Sequence, residues 1–140
     1  MQGYNVILLY DKNAERLLLC KRRKNPYKGL KNLIGGKIEH GETGLDAAYR
    51  ELFEEAGVDK KAVNLVHLMD FTYFLSECRV EVYVGKLRYD VDVVGDENDL
   101  FWSDLNCDFF DMKEFAGEGN IGHMIEQVKI SANRIFKDNE

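Results

Sequence analysis

Proline is almost missing: Pro26 is its one occurrence in 140 residues, and no repeat or low-complexity segment accompanies it. A proline-rich linker between domains is thereby excluded, and a single domain over residues 1–140 is expected. Long apolar runs are missing too, since none approaches the roughly 18 residues that a membrane span requires. The opening MQGYNVILLYD carries neither the basic stretch nor the small-residue cleavage site of a signal peptide, so a cytoplasmic protein is expected. Positive charge is in deficit, with 19 Lys and Arg against 25 Asp and Glu and a net charge of -6. That balance argues against gripping a nucleic-acid polymer. It leaves room for a nucleotide whose phosphates are met by metal and a few local cations. Cysteine is sparse: Cys20, Cys78 and Cys107 are odd in number, far apart and without metal-binding spacing. Reduced thiols, mostly in core positions, are expected in place of a disulfide framework.

What is present is patterned. Residues 4–10 (YNVILLY) and 16–22 (RLLLCKR) are apolar runs separated by DKNAE, which is turn chemistry. They predict a hairpin, with Lys21, Arg22, Arg23 and Lys24 fanning out at its far end. Residues 25–32 read as a polar loop, and Lys37-Ile38 as a short strand before a turn at Glu39–Gly41. A helix is predicted over Leu45–Ala56, capped by Thr43 with Asp46 as its partner and closed by a left-handed Gly57. Beyond it, Asn64–Leu75 and Arg79–Arg88 read as strands joined by a turn at Ser76–Cys78. Val80, Val82 and Val84 alternate with Glu81 and Tyr83, a half-buried pattern. An acidic, turn-rich stretch over Asp90–Asp99 precedes Leu100–Leu105, which holds Trp102. Phe109, Phe110, Met112 and Phe115 suggest a short helix or structured loop packed on the core. Ile121, Ile125, Val128 and Ile135 support a closing helix over Gly122–Phe136. Strands on both sides of a helix, plus a closing helix, make an α/β sandwich with a mixed β-sheet between helices. The Val80–Val84 strand and the last helix suit pairing of subunits in a homodimer or filling of the core equally well.

The central helix is dense in carboxylates. On helical spacing Leu45, Ala48, Leu52 and Ala56 share one side, while Glu51, Glu54 and Glu55 fall on a neighbouring strip. Like charges on one strip repel by a few tenths of a kcal/mol per pair, so they are either fully solvated or neutralised by cations. No Cys or His lies in this helix, so a cation held there meets only oxygen ligands, which suits Mg²⁺ or Mn²⁺. Gly35-Gly36 lies ahead of the helix, where glycine permits close backbone approach to a ligand.

The order Gly36, five residues, Glu42, seven residues, Arg50-Glu51-Leu52, one residue, Glu54-Glu55, one residue, Gly57-Val58 resembles the Nudix box of the Nudix hydrolases, and every defining position is filled. The resemblance implies the α/β/α fold across nearly the whole chain and metal-dependent hydrolysis of a nucleoside diphosphate linked to another group. It makes Glu54 and Glu55 metal ligands, with Glu51 a third ligand or the general base, and the Gly35 carbonyl completes the ligand set. Arg50 positions Glu51 or its neighbours by ion pairing, or serves the helix through a pair with Glu54. Glu42 ties the loop to the helix. MutT-like members carry a distal glutamate before an aromatic strand; of Asp96-Glu97, Glu97 matches it, as a metal ligand or general base.

For phosphate contacts the candidates are Lys37, directly after the glycines, and Arg22 or Arg23 at the hairpin end. MutT-like relatives place nucleobase contacts at positions matching Asn32 and Asn120, and an asparagine amide both donates and accepts, which suits a purine edge. Two departures weaken an assignment to 8-oxo-dGTP in particular: Lys31 removes a stacking surface, and Ile34 replaces a rigid proline. The best substrate expectation is an (oxidised) purine nucleoside triphosphate. The alternatives are a nucleotide sugar, a dinucleoside polyphosphate or another diphosphate. A non-catalytic nucleotide-sensing module is the rival of another class, disfavoured because all the box carboxylates are kept.

Overall fold

A computed structural model describes residues 1–95 and 98–137. Strand β1 (Gln2–Tyr10) is its spine. Ile7, Leu8, Leu9 and Tyr10 are all buried. Successive strand side chains point to opposite faces, so such a run requires cover on both. Helix α1 (Gly44–Ala56) provides one cover, where Ile7 and Leu9 join Leu18, Ile34, Ala48, Leu52 and Ala56. Helix α2 (Asn120–Ile135) provides the other, where Leu8 and Tyr10 join Leu17, Leu19, Ile125 and Val128. The expected α/β sandwich with a mixed sheet between helices is what forms.

On one edge β1 runs parallel to β6 (Cys78–Lys86), from Gln2 opposite Cys78 to Tyr10 opposite Lys86. Outside β6 lies the antiparallel β5 (Val66–Tyr73). The half-buried reading holds at Val80 and Glu81, which are partly exposed, and needs correction over Val82–Val84. Tyr83 is only 4% exposed and Val82 and Val84 are fully buried, because both faces of β6 lie under helices.

The other edge of β1 is divided. β2 (Arg16–Lys21) pairs with it at Tyr10–Leu17, as the predicted hairpin requires, and then the two strands splay apart. Residues 31–37 fill the fork. β3 (Lys31–Asn32) pairs with β2, while β4 (Ile34–Lys37) pairs with β1, with Tyr4 opposite Lys37 and Ile7 opposite Ile34. The short strand expected at Lys37-Ile38 therefore lies earlier and includes both glycines, and the preceding loop ends sooner. β7 (Asp99–Asp104) covers the far edge of β2.

Smaller differences have local causes. The β5–β6 turn spans residues 74–77, so Cys78 opens a strand. Leu45, in the first turn of α1, is 38% exposed and Ala47 takes its place in the core. Phe109 and Phe115 are buried in an irregular segment, whereas Phe110 and Met112 are exposed. Only Cys20 of the three free thiols is buried, Cys107 being exposed. Helix α2 starts at Asn120, earlier than its apolar spacing alone indicated. No helix among the described residues is long and apolar enough to cross a membrane.

Leu52 is fully buried between α1 and the sheet. Replacing it with alanine is expected to cost about 2–5 kcal/mol of stability, read by urea denaturation; a loss under about 1 kcal/mol would show that α1 packs by other contacts.

Candidate active site

Helix α1 is fixed at both ends by local chemistry. Thr43 sits in an extended conformation and its hydroxyl accepts from the Asp46 amide at 3.1 Å. Gly57 closes the helix at φ 70°, its N–H returning to the Leu52 and Phe53 carbonyls. With Ala48, Leu52 and Ala56 turned to the sheet, the strip carrying Glu51, Glu54 and Glu55 flanks the fork filled by β4. Glu51 is drawn in, its side chain 13% exposed, and Glu54 lies further out.

Arg50 gathers this region. Its Nε donates to Glu42 Oε2 at 3.1 Å and its Nη2 to Glu42 Oε1 at 2.7 Å and the Lys37 carbonyl at 3.0 Å. Its Nη1 donates to Glu51 Oε1 at 3.0 Å and Glu54 Oε2 at 3.2 Å. All the donors of the guanidinium fork are thereby used. Both alternatives read for Arg50 are realised at once, an ion pair with Glu51 and a helical pair with Glu54. Glu42 also accepts from the Glu39 amide at 2.8 Å, which ties the loop to the helix. The Arg50 bond first, and the Glu39 amide after it, hold the Glu42 carboxyl below the usual carboxylate range.

The glycine pair brings backbone to the same place. In β4 Gly36 N donates to Asn5 Oδ1 at 3.3 Å, and just past the strand Ile38 N donates to Gly3 O, so these amides face β1. Alternate strand residues present both N–H and C=O to the opposite edge. There Gly35 N donates to Glu55 Oε2 at 3.2 Å and the Lys37 carbonyl meets Arg50. The Gly35 carbonyl thus leaves the edge that Glu55 occupies. Neither glycine leaves room for a side chain: a Cβ on Gly35 would lie 2.0 Å from the Asn5 carbonyl oxygen, and one on Gly36 would lie 2.5 Å from Glu51 Oε1.

Glu51, Glu54, Glu55 and the Gly35 carbonyl offer only oxygen atoms along this strand edge, a donor chemistry that would suit a divalent cation of the magnesium type. Burial pushes the Glu51 carboxyl up, against the lowering effect of Arg50. Burial, and then the charge of Glu55, push the nearby Cys20 thiol up to about 11, so it stays a protonated core group.

The other sequence candidates are placed as follows. Lys37 is exposed at the end of β4. Arg22 Nε donates to the Pro26 carbonyl at 2.8 Å, and Arg23 is ion-paired with Asp99, so neither simply fans out into solvent. Asn32 Oδ1 accepts from the Leu33 amide at 2.8 Å. Asn120 is the first residue of α2 and its Nδ2 donates to the Tyr73 hydroxyl. Asp96 and Glu97 lie outside the described residues. Lys31 is turned over the rings of Phe115 and Phe101.

Sequence reading missed Asn5. It is 1% exposed, its Nδ2 has no hydrogen-bond partner among the described residues, and its signal was a single amide inside an apolar run. It also missed His67, Asp70 and Glu81, which converge to within 4.8 Å. That group is internally satisfied: His67 meets Asp70 at 2.6 Å, and Glu81 accepts from Arg79 at 2.7 Å and from Tyr83 at 2.6 Å.

Two glycine substitutions should separate structure from site. Gly35→Ala is expected to break β1–β4 pairing and lower Tm sharply, whereas Gly36→Ala should fold and displace Glu51. Equal Tm losses in both would contradict this division. A carboxyl whose folded-state pKa is raised detracts from stability above that pKa, and the deficit vanishes below its unfolded value. Metal-free Glu51→Gln should therefore melt at or above the wild-type Tm at pH 8, the difference closing as pH falls through the usual carboxylate range. A lower Tm at pH 8 would mean that the Arg50 pair outweighs burial.

A family model described as NUDIX domain matches residues 2–123. The chain is 33% identical over 97 residues to the ADP-ribose pyrophosphatase of Methanocaldococcus jannaschii, covering 69% of this chain and 55% of that protein. It is 31% identical over 81 residues to the oxidized purine nucleoside triphosphate hydrolase of Mus musculus, covering 58% of this chain and 51% of that protein. The chain thus spans about half the length of the curated relatives it matches. Among solved structures, a C. elegans Ap4A hydrolase binary complex superposes with a TM-score of 0.75 at 19% identity, covering 94% of this chain and 98% of that one.

Proposed function

Because the chain belongs to the Nudix family, we propose that residues 1–140 act as one Nudix hydrolase domain that cleaves the diphosphate of a nucleoside diphosphate linked to another group. The observation that carries this reading is Arg50, which draws Glu42, Glu51 and Glu54 together beside the Gly35-Gly36 edge where Glu55 is bonded. In this reading Gly35 (through its carbonyl), Glu51, Glu54 and Glu55 hold Mg²⁺, with Mn²⁺ as a substitute. A divalent cation bound there supplies neutralisation of phosphate charge and a more acidic attacking water.

The chain's own groups do the rest. Arg50 orients Glu51, and Glu51 or Glu97 takes the proton of the water that attacks an inner phosphorus. Lys37 contacts the phosphates directly. Arg22 joins it from the hairpin end, and Arg23 does so on exchanging Asp99 for phosphate. Asn32 and Asn120 face the base. Asn120 has committed its Nδ2 to Tyr73, which leaves its Oδ1 as an acceptor for a purine edge. The substrate favoured is an (oxidised) purine nucleoside triphosphate, released as nucleoside monophosphate and pyrophosphate.

A second reading keeps the chemistry and changes the substrate to a nucleotide sugar such as ADP-ribose. The 33%-identical relative named ADP-ribose pyrophosphatase supports it, as does Lys31, which stands where a stacking side chain was expected for an oxidised guanine.

A substrate panel with and without Mg²⁺ decides. Purine triphosphates should yield monophosphate and pyrophosphate only with the metal. Turnover of ADP-ribose alone would select the second reading, and no turnover of any diphosphate would sink both. Glu54→Gln and Glu55→Gln should each lower kcat by about 10²-fold or more, since several kcal/mol of charge stabilisation depend on the ligand set.

A further inference from the structure

We propose that Asn5 is a positioning residue of the cation site, its side-chain amide setting both the Gly35-Gly36 peptide and the Glu51 carboxylate from beneath. The inference rests on the reading of Glu51, Glu54, Glu55 and Gly35 as cation ligands. Its basis is that the two halves of the Asn5 amide stand differently. Oδ1 accepts from Gly36 N at 3.3 Å, and this fixes which end of the amide is oxygen. The peptide between Gly35 and Gly36 is a rigid plane with its N–H and C=O opposed. Holding the Gly36 N–H toward β1 therefore directs the Gly35 carbonyl to the edge where Glu55 accepts from Gly35 N.

The Nδ2 half is buried without a partner among the described residues. Buried polar groups are almost always bonded, so this donor is meant for an acceptor. Two carboxylates flank Asn5, because Gly36 and Glu81 are its direct neighbours on β4 and β6 and the Glu51 carboxylate lies against Gly36. Glu81 is committed at both oxygens, to Arg79 and to Tyr83. Glu51 commits Oε1 to Arg50. Glu51 is thus the acceptor to which Nδ2 is assigned. A small turn of Glu51 Oε2 toward Nδ2 makes this pair, across the space that the position 36 glycine leaves open, and it sets the carboxylate plane from below while Arg50 sets it from the side.

Asn5→Leu keeps the volume and removes the amide. Mn²⁺ binding to the metal-free full chain, followed by electron paramagnetic resonance, reads the site without any substrate. The dissociation constant should rise about tenfold, and kcat with Mg²⁺ should fall about tenfold or more while KM changes less than about threefold. A purely structural Asn5 would lower Tm and leave the Mn²⁺ affinity of the folded fraction unchanged, and that result overturns the proposal. So does a wild-type chain that binds no Mn²⁺. If Asn5→Leu does not fold, Asn5→Ser, too short to reach Glu51, carries the same expectations. A wild-type chain that binds Mn²⁺ but hydrolyses no diphosphate would sink the proposed activity, and the Mn²⁺ comparison would still judge Asn5.

Discussion

The arrangement depends on one guanidinium. Arg50 spends its whole fork on two strands of chain, bonding Glu42 and the Lys37 carbonyl in the approach to the helix and Glu51 and Glu54 on the helix itself. An isolated exposed ion pair contributes little. This one differs because its members restrain one another: Glu42 is also held by the Glu39 amide, and Glu51 is walled by Gly36. A planar, bidentate cation can impose such geometry, whereas the point charge of a lysine cannot. Three carboxylates that would otherwise repel are thus brought into register by one side chain of the protein itself.

That fork needs something firm to grip, and the divided edge of β1 provides it. Because β2 leaves β1 beyond the Tyr10–Leu17 pair, residues 31–37 enter as strands and carry both glycines into the sheet. Sheet pairing, which resists displacement more than a surface loop does, therefore fixes the backbone amides and carbonyls that face the acidic helix. The two apolar layers press the sheet from either side and keep this edge in place.

Legibility in the sequence tracked the range of the interactions. Thr43, Asp46 and Gly57 act within a few residues of themselves, so both ends of α1 could be read to within a residue or so. The continuous apolar runs of β1 and β2 announced strands, and the box spacing announced the acidic site. What stayed hidden depends on partners far along the chain. A Gly-Gly pair has poor strand propensity, and only pairing with Asn5 and Val6 makes it part of β4. Val82–Val84 looked half-buried because Tyr83 is polar, yet its bond to Glu81 lets that face be covered. Leu45 fitted a helical stripe, but it lies too near the helix start to reach the sheet. Asn5 gave no local sign because its partner, Gly36, lies 31 positions away.

The parallel pairing of β1 with β6 has a temporal consequence. Gln2 and Cys78 are partners although 76 positions separate them (78 − 2). Contacts between such distant positions must bear loop-closure entropy before they reward it, and they form late. The glycine pair, the acidic helix and Arg50 are all made before β6 leaves the ribosome, as chain synthesis runs from the N-terminus. Until β6 docks, β1 lacks one of its two edges, and Asn5 with it lacks its neighbour Glu81. The box is thus written early and assembled late, and a chain interrupted before Lys86 would carry every box residue on an unfinished sheet.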